Sequence, residues 1–319
     1  MKKFAKSEKN ISSIILTLLI VFFLINLIVF PKRYIETTLD GISAWAFNVL
    51  PSVFPFIFFT RCLSSLGQME KVTRPFQKFS FALFKTPPTS LYAFLMAILS
   101  GYPVGSKMVA DLYMQGKITK KDAFKMSSFC STSGPMFIIG AVGIGMFQNS
   151  TVGYILFISH IVGAFLNGLL YRNMKFKNID NIDDKQIETK ESIQSKFDIS
   201  EIVTTSAIAI ISVGAIIAIF FIVIECLSPI LNLLPETLSC FLQGIVEITK
   251  GCLSLSTLSN IKLATVLSSF VISFGGISTL LQSITMLKSV EMPIKLFALQ
   301  KFTHALLSAL ITIILVMII

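Results

Sequence analysis

Two short apolar stretches broken by Gly, Pro and Ser, Leu99-Ser-Gly-Tyr-Pro-Val-Gly-Ser106 and Ile272-Ser-Phe-Gly-Gly-Ile-Ser-Thr279, lie at similar places in the two halves of a very hydrophobic chain. In hydrocarbon, an irregular backbone segment leaves N–H and C=O groups unpaired at several kcal/mol each. It persists only where it is buried in protein or lines a polar cavity. One such break per half predicts helices that stop and restart at membrane depth. In transporters built from inverted repeats, that is where a small solute is held.

The composition points the same way. Only 14% of the 319 residues are charged, against about 25% in soluble domains, and 54% are hydrophobic. The net charge of +10 raises nucleic-acid binding as a class, but Lys and Arg gather between apolar runs rather than in a basic stripe interleaved with aromatics. A positive-inside topology accounts for them, with the lipid bilayer as partner and no nucleic acid. Cys62, Cys130, Cys226, Cys240 and Cys252 form no C-x-x-C pair and read as reduced packing residues. Walker A, H-E-x-x-H and G-x-S-x-G motifs are missing from the sequence. We therefore expect no catalytic residue, no metal, no cofactor and no enzymatic activity; the coupling ion is left open.

The charges dictate a threading. The apolar run Ile11 to Phe30 follows Lys2, Lys3, Lys6 and Lys9 and spans about 30 Å as a helix. This predicts an N-terminal transmembrane helix over 1–34 with its N-terminus in the cytoplasm, not a cleaved signal. Residues 35–171 form a first repeat. Within it, Thr89 to Met114 is flanked by Lys85 on one side and Lys117, Lys120 and Lys121 on the other, so a single crossing would strand lysines outside. A re-entrant hairpin over 89–114, turning at Gly101-Tyr-Pro103, keeps them in the cytoplasm. The next crossing, Phe124 to Phe147, is broken by Ser131-Thr-Ser-Gly-Pro135. Residues 172–200 are a polar cytoplasmic linker, and 201–319 form a second repeat with its re-entrant hairpin over 261–287. The predicted fold is an all-α polytopic membrane protein of two inverted repeats, each with a re-entrant helical hairpin and a crossing helix that is broken in the first half. The segment Glu236 to Ser256 reads as amphipathic and is given no hairpin.

Half-helix N-termini carry partial positive charge and attract carboxylate or phosphate groups, whereas freed carbonyls take a cation or a hydroxyl. The candidate substrate-binding residues are accordingly Ser100, Gly101, Tyr102 and Pro103 at the first tip, and Ser131, Thr132, Ser133 and Gly134 at the crossing-helix break. Gly275, Gly276, Ser278 and Thr279 follow at the second tip, with Glu247 and Thr249 in an apolar segment. A proline kink with its backbone satisfied by neighbouring hydroxyls explains any single break equally well. Aligning Cys62, Leu63 and Ser64 with Cys226, Leu227 and Ser228 places Arg61 opposite Glu225, a candidate ion pair across the halves; snorkelling of each to the interface is the alternative. His160 and His304, each alone on an apolar helix, read as structural hydrogen-bonding groups.

The blocks Ser100-Gly-Tyr-Pro-Val-Gly-Ser-Lys107, Ser133-Gly-Pro-Met-Phe-Ile-Ile-Gly-Ala-Val-Gly-Ile-Gly-Met146, Glu247-Ile-Thr-Lys-Gly251 and Phe274-Gly-Gly-Ile-Ser-Thr279 resemble the YlbJ (SpoVV) sporulation integral membrane proteins. Those proteins carry the nucleoside-recognition Gate domain, related to concentrative nucleoside transporters. The resemblance implies a cell-membrane protein of an endospore former, placed in the outer forespore membrane. There it would export a small anionic substrate, dipicolinic acid, from the mother cell toward the forespore. The alternatives are a scaffold or partner subunit of a sporulation membrane complex that moves no solute, and a nucleoside-type transporter. Partners would be a second copy of the chain or other sporulation membrane proteins.

Overall fold

Long apolar runs without breakers become long helices, and Gly, Pro and capping residues divide the rest into short ones. The computed structural model describes residues 2–66, 75, 77–174 and 198–318, and among them it is helical throughout with no strand. The linker predicted at 172–200 lies almost wholly outside the described residues. In chain order the helices are α1 (Lys2–Val29), α2 (Pro31–Ala44), α3 (Leu50–Ser65), α4 (Gln77–Phe84), α5 (Thr89–Ser100), α6 (Val104–Met114) and α7 (Lys120–Met126). They continue as α8 (Met136–Met146, wound in the wider π form), α9 (Ser150–Tyr171), α10 (Ile199–Leu231), α11 (Glu236–Val246), α12 (Ile248–Ser256), α13 (Ile261–Phe274), α14 (Gly276–Met286) and α15 (Ile294–Ile318). Five stretches are long and apolar enough to cross a membrane: Pro31–Leu63, Ser150–Tyr171, Ile199–Leu231, Ile261–Val290 and Ile294–Ile318. This is an integral membrane protein.

Polar side chains set several helix starts. Asn149 caps α9 through the amides of Thr151 and Val152, and Asp198 caps α10. Asn260 caps α13, and Thr119 with Asp122 forms a capping box on α7. The span Pro31–Leu63 runs from α2 into α3 through a wide turn at Trp45–Val49, despite Pro51 and Pro55, and lies antiparallel along α10. Arg33 and Tyr34 meet Glu225 and Cys226 at one end of this contact, and Trp45 donates to the Ile210 carbonyl further along. This contact corrects the candidate ion pair. Glu225 pairs with Arg33, at 2.5 Å, and not with Arg61, because the α2–α10 packing places the start of α2 beside the end of α10.

At the centre α9 and α15 pack closely, with Gly163 against Ser308 and Asn167 donating to the Ser128 and Gln300 carbonyls. α8 packs along α9, and α13 along α15. In the first half α5 and α6 lie back to back, their tip at Gly101–Pro103. Phe84, Phe94, Phe129 and Phe165 form an aromatic cluster that ties this hairpin to α9 and to the non-helical stretch 127–134; each ring pair contributes about 0.5–1.5 kcal/mol beyond its burial.

In the second half the chain folds back at a place the sequence reading did not assign. α11 and α12 lie against each other, and a Cβ on Gly251 would lie 2.0 Å from the Gly244 Cα, while one on Gly244 would run into the Val271 side chain. Glu247, extended at φ −144°, forms the tip. The pair predicted as a hairpin at 261–287 is arranged otherwise. α13 packs on α15 and α12, α14 packs on α11 and α6, and the two are joined through left-handed Gly275 without packing on each other. Both halves thus run hairpin, broken helix, long helix: α5/α6, α7/α8, α9 and then α11/α12, α13/α14, α15.

Candidate functional site

The tips and breaks meet at one cavity. Each tip docks on the break of its own half. A Cβ on Gly101 would lie 2.7 Å from the Gly134 amide nitrogen, and one on Gly276 would lie 3.2–3.3 Å from the Gly244 and Val246 carbonyls and the Ile248 amide. Between these contacts is a cavity of about 750 Å³ counting its open mouth. One rim is polar: Ser100, Gly101 and Tyr102, Ser133 and Gly134, Glu247 and Thr249, and Ser278, Thr279 and Gln282. The facing wall is apolar, built by Val53, Phe56 and Ile57 of α3 and Val213, Ile216 and Ile217 of α10, with Phe137 beside the break.

Of the residues singled out in the sequence, nine therefore line this cavity. Pro103 stands behind the tip, joined to Tyr102 by a cis peptide bond. Ser131 and Thr132 are buried in the break away from the cavity, and their hydroxyls have no hydrogen-bond partner. Gly275 and Gly276 shape the second break, Gly275 resting against the Tyr102 ring. Ser278 is 2% exposed and lines the cavity, its buried hydroxyl without a partner, whereas Thr279 turns back to donate to the Gly275 carbonyl.

Four helices begin at this rim: α6 after Tyr102-Pro103, α8 after Gly134-Pro135, α12 after Glu247, and α14 with Ser278 and Thr279 in its first turn. Their first amides have no intrahelical partner and carry partial positive charge. The Glu247 carboxylate occupies one of them, accepting from the Lys250 amide at 2.7 Å. α6, α8 and α14 have no side-chain cap, so their N-terminal ends favour an anionic or strongly accepting group.

Behind Tyr102 lies a polar network that holds the two histidines read as hydrogen-bonding groups and a lysine that the sequence reading passes over. Lys301 of α15 donates to the Tyr102 hydroxyl at 2.5 Å and to the Ser131 carbonyl at 2.8 Å. The Tyr102 hydroxyl is 3.3 Å from the Ile272 carbonyl oxygen and 3.4 Å from that of Ser273. His160 Nε2 accepts from the Ser133 amide at 2.8 Å, and its Nδ1 is 2.8 Å from the Ser273 hydroxyl. His304 stacks on His160 at 4.7 Å and bonds its carbonyl oxygen. Lys301 carries its own sequence signal, a charge inside an apolar span, which by default marks function in a membrane protein.

On the far side of α12 is a second, more polar cavity of about 630 Å³ counting its open mouth, lined by Arg33, Glu225, Ser228, Asn232, Gln243, Lys250 and Ser254. The first turn of α12 separates the two, Glu247 facing one and Lys250 the other.

Broken helices around a half-polar cavity are the arrangement in which secondary transporters hold their solutes, and this integral membrane protein has that arrangement. Residues 46–150 match the family model for nucleoside recognition, Gate, which takes in the first hairpin, the first break and the α3 wall. The whole chain is similar to the sporulation integral membrane protein YlbJ of Bacillus subtilis (strain 168), with 26% identity over 338 residues covering 94% of this chain and 82% of that protein. The motif resemblance read from the sequence is thus found again over nearly the full length. No solved structure matches.

Proposed function

We propose that this protein is a transporter, not an enzyme, that passes a small anionic solute through the cavity between the two hairpin tips. The observation that carries the reading is the rim itself: three uncapped helix N-termini and the unpartnered Ser278 hydroxyl share a cavity with an apolar wall of α3 and α10. A planar ring with carboxylates on its edge suits such a slot. The likeness to YlbJ makes dipicolinic acid, moved from mother cell to forespore across the outer forespore membrane, the first solute to try. In this reading the repeats are inverted and both hairpins are re-entrant, α5/α6 from the cytoplasmic face and α11/α12 from the opposite one, with the N-terminus cytoplasmic. A nucleoside is the second reading, favoured by the match to the Gate model.

The test is uptake of labelled dipicolinate by proteoliposomes holding the purified protein, with nucleosides as competitors. Uptake is expected to fall at least tenfold in a Ser133→Ala/Ser278→Ala double variant. Uptake that nucleosides abolish moves the assignment to the second reading. Absence of both uptakes, with folded and inserted protein, refutes the transporter.

A further inference from the structure

Lys301 is 3% exposed and lies about two turns into the last membrane span, Ile294–Ile318. Among the described residues no carboxylate forms an ion pair with its ammonium. A lone charge at this depth costs upward of about 2.5 kcal/mol unless the protein solvates it. Here the solvating groups are the carbonyls that the helix breaks set free. The Ser131 carbonyl belongs to the non-helical stretch of the first crossing helix and accepts directly from Lys301. The Tyr102 hydroxyl accepts a second proton and faces the Ile272 and Ser273 carbonyls, which end α13. Helix C-terminal carbonyls carry partial negative charge. The ammonium therefore takes a freed carbonyl of the first break directly and reaches those of the second through the Tyr102 hydroxyl, and it also lies over the Tyr102 ring at 4.6 Å.

In transporters with broken helices, a convergence of freed carbonyls holds a coupling cation. We propose that Lys301 is a built-in monovalent cation that fills this place from within the chain, so that the cavity wall at Tyr102 and Ser133 is assembled without any bound alkali ion. A tethered ammonium loses no translational freedom on entering the site, and it pins the first hairpin tip, the first break and α15 together at all times. The consequence for transport, independence from Na⁺, rests on the function proposed above; the assembly of the site does not.

The test reads thermal unfolding of the purified full chain in detergent, in chloride salts of Na⁺, methylammonium or the bulky N-methylglucamine at one ionic strength. The unmodified protein is expected to give the same midpoint in all three. Lys301→Ala is expected to unfold several degrees lower in N-methylglucamine and to regain at least half of the loss, saturably, in Na⁺ or methylammonium. Lys301→Met, which fills the space with an apolar chain, is expected to show no such recovery. A midpoint of the unmodified protein that rises saturably with Na⁺ overturns the proposal, a reading that holds even where Lys301→Ala does not fold. Equal midpoints of Lys301→Ala in all three salts also overturn it. No solute is needed, so this outcome is separable from the failure of the transport reading.

Discussion

Two glycines in neighbouring motifs have opposite prospects. Gly105 faces the Cys130 carbonyl so closely that a Cβ would collide with backbone, and it would also lie 2.6 Å from the Ala97 Cβ. Gly134 has negative-φ backbone and open contacts, its nearest neighbours at 3.5 Å. Gly105→Ala should therefore lower stability by about 1–3 kcal/mol or prevent folding. Gly134→Ala should stay within about 1 kcal/mol of the unmodified protein. Unfolding midpoints in detergent decide it, and an equal loss at both positions would contradict the packing described. At this scale the breakers were legible because Gly, Pro and clustered hydroxyls are chemically conspicuous in an apolar run. Lys301 was not, since its partners Ser131 and Tyr102 lie far off in the chain; for His160 the hydrogen-bonding role was legible but its partners Ser133 and Ser273 were not. Arg61 and Glu225 misled for the same reason: chance identities around Cys62 and Cys226 said nothing of the α2–α10 contact that brings in Arg33.

Among the elements, the second hairpin carries the clearest lesson. Paired glycines at 275 and 276 looked like a tip, but two positive-φ residues can equally redirect one helix into the next, as they do between α13 and α14. The chain reverses instead at Glu247, where the turn has neither Gly nor Pro. What permits it is the Gly244–Gly251 contact, which lets α11 and α12 touch backbone to backbone, together with a carboxylate that caps α12. Glu247→Ala should remove that cap at a cost of about 0.5–2 kcal/mol. Glu247→Gln, whose amide oxygen still accepts from the Lys250 N–H, should recover most of it. A midpoint unchanged in Glu247→Ala would mean that the tip is held by the glycine contact alone.

At the scale of the whole molecule, the order hairpin, broken helix, long helix recurs in both halves, and the two long helices α9 and α15 form the central seam. Composition and charge made the membrane class and the all-helical fold legible, because hydrocarbon permits little else. The meeting of both tips at one cavity was not, since it depends on how two halves with scant sequence identity pack together. The proposal that the hairpins enter from opposite faces is tested by cysteine accessibility in sealed vesicles. Lys85→Cys and Lys117→Cys mark the base of the first hairpin and Thr257→Cys the base of the second. All three positions are exposed, and labelling of the five native cysteines is subtracted with the unmodified protein. A membrane-impermeant thiol reagent is predicted to reach Lys85→Cys and Lys117→Cys from one face and Thr257→Cys only from the other. Labelling of Lys117→Cys and Thr257→Cys from the same face would contradict the two-sided entry, and with it the cavity as a passage between the two sides.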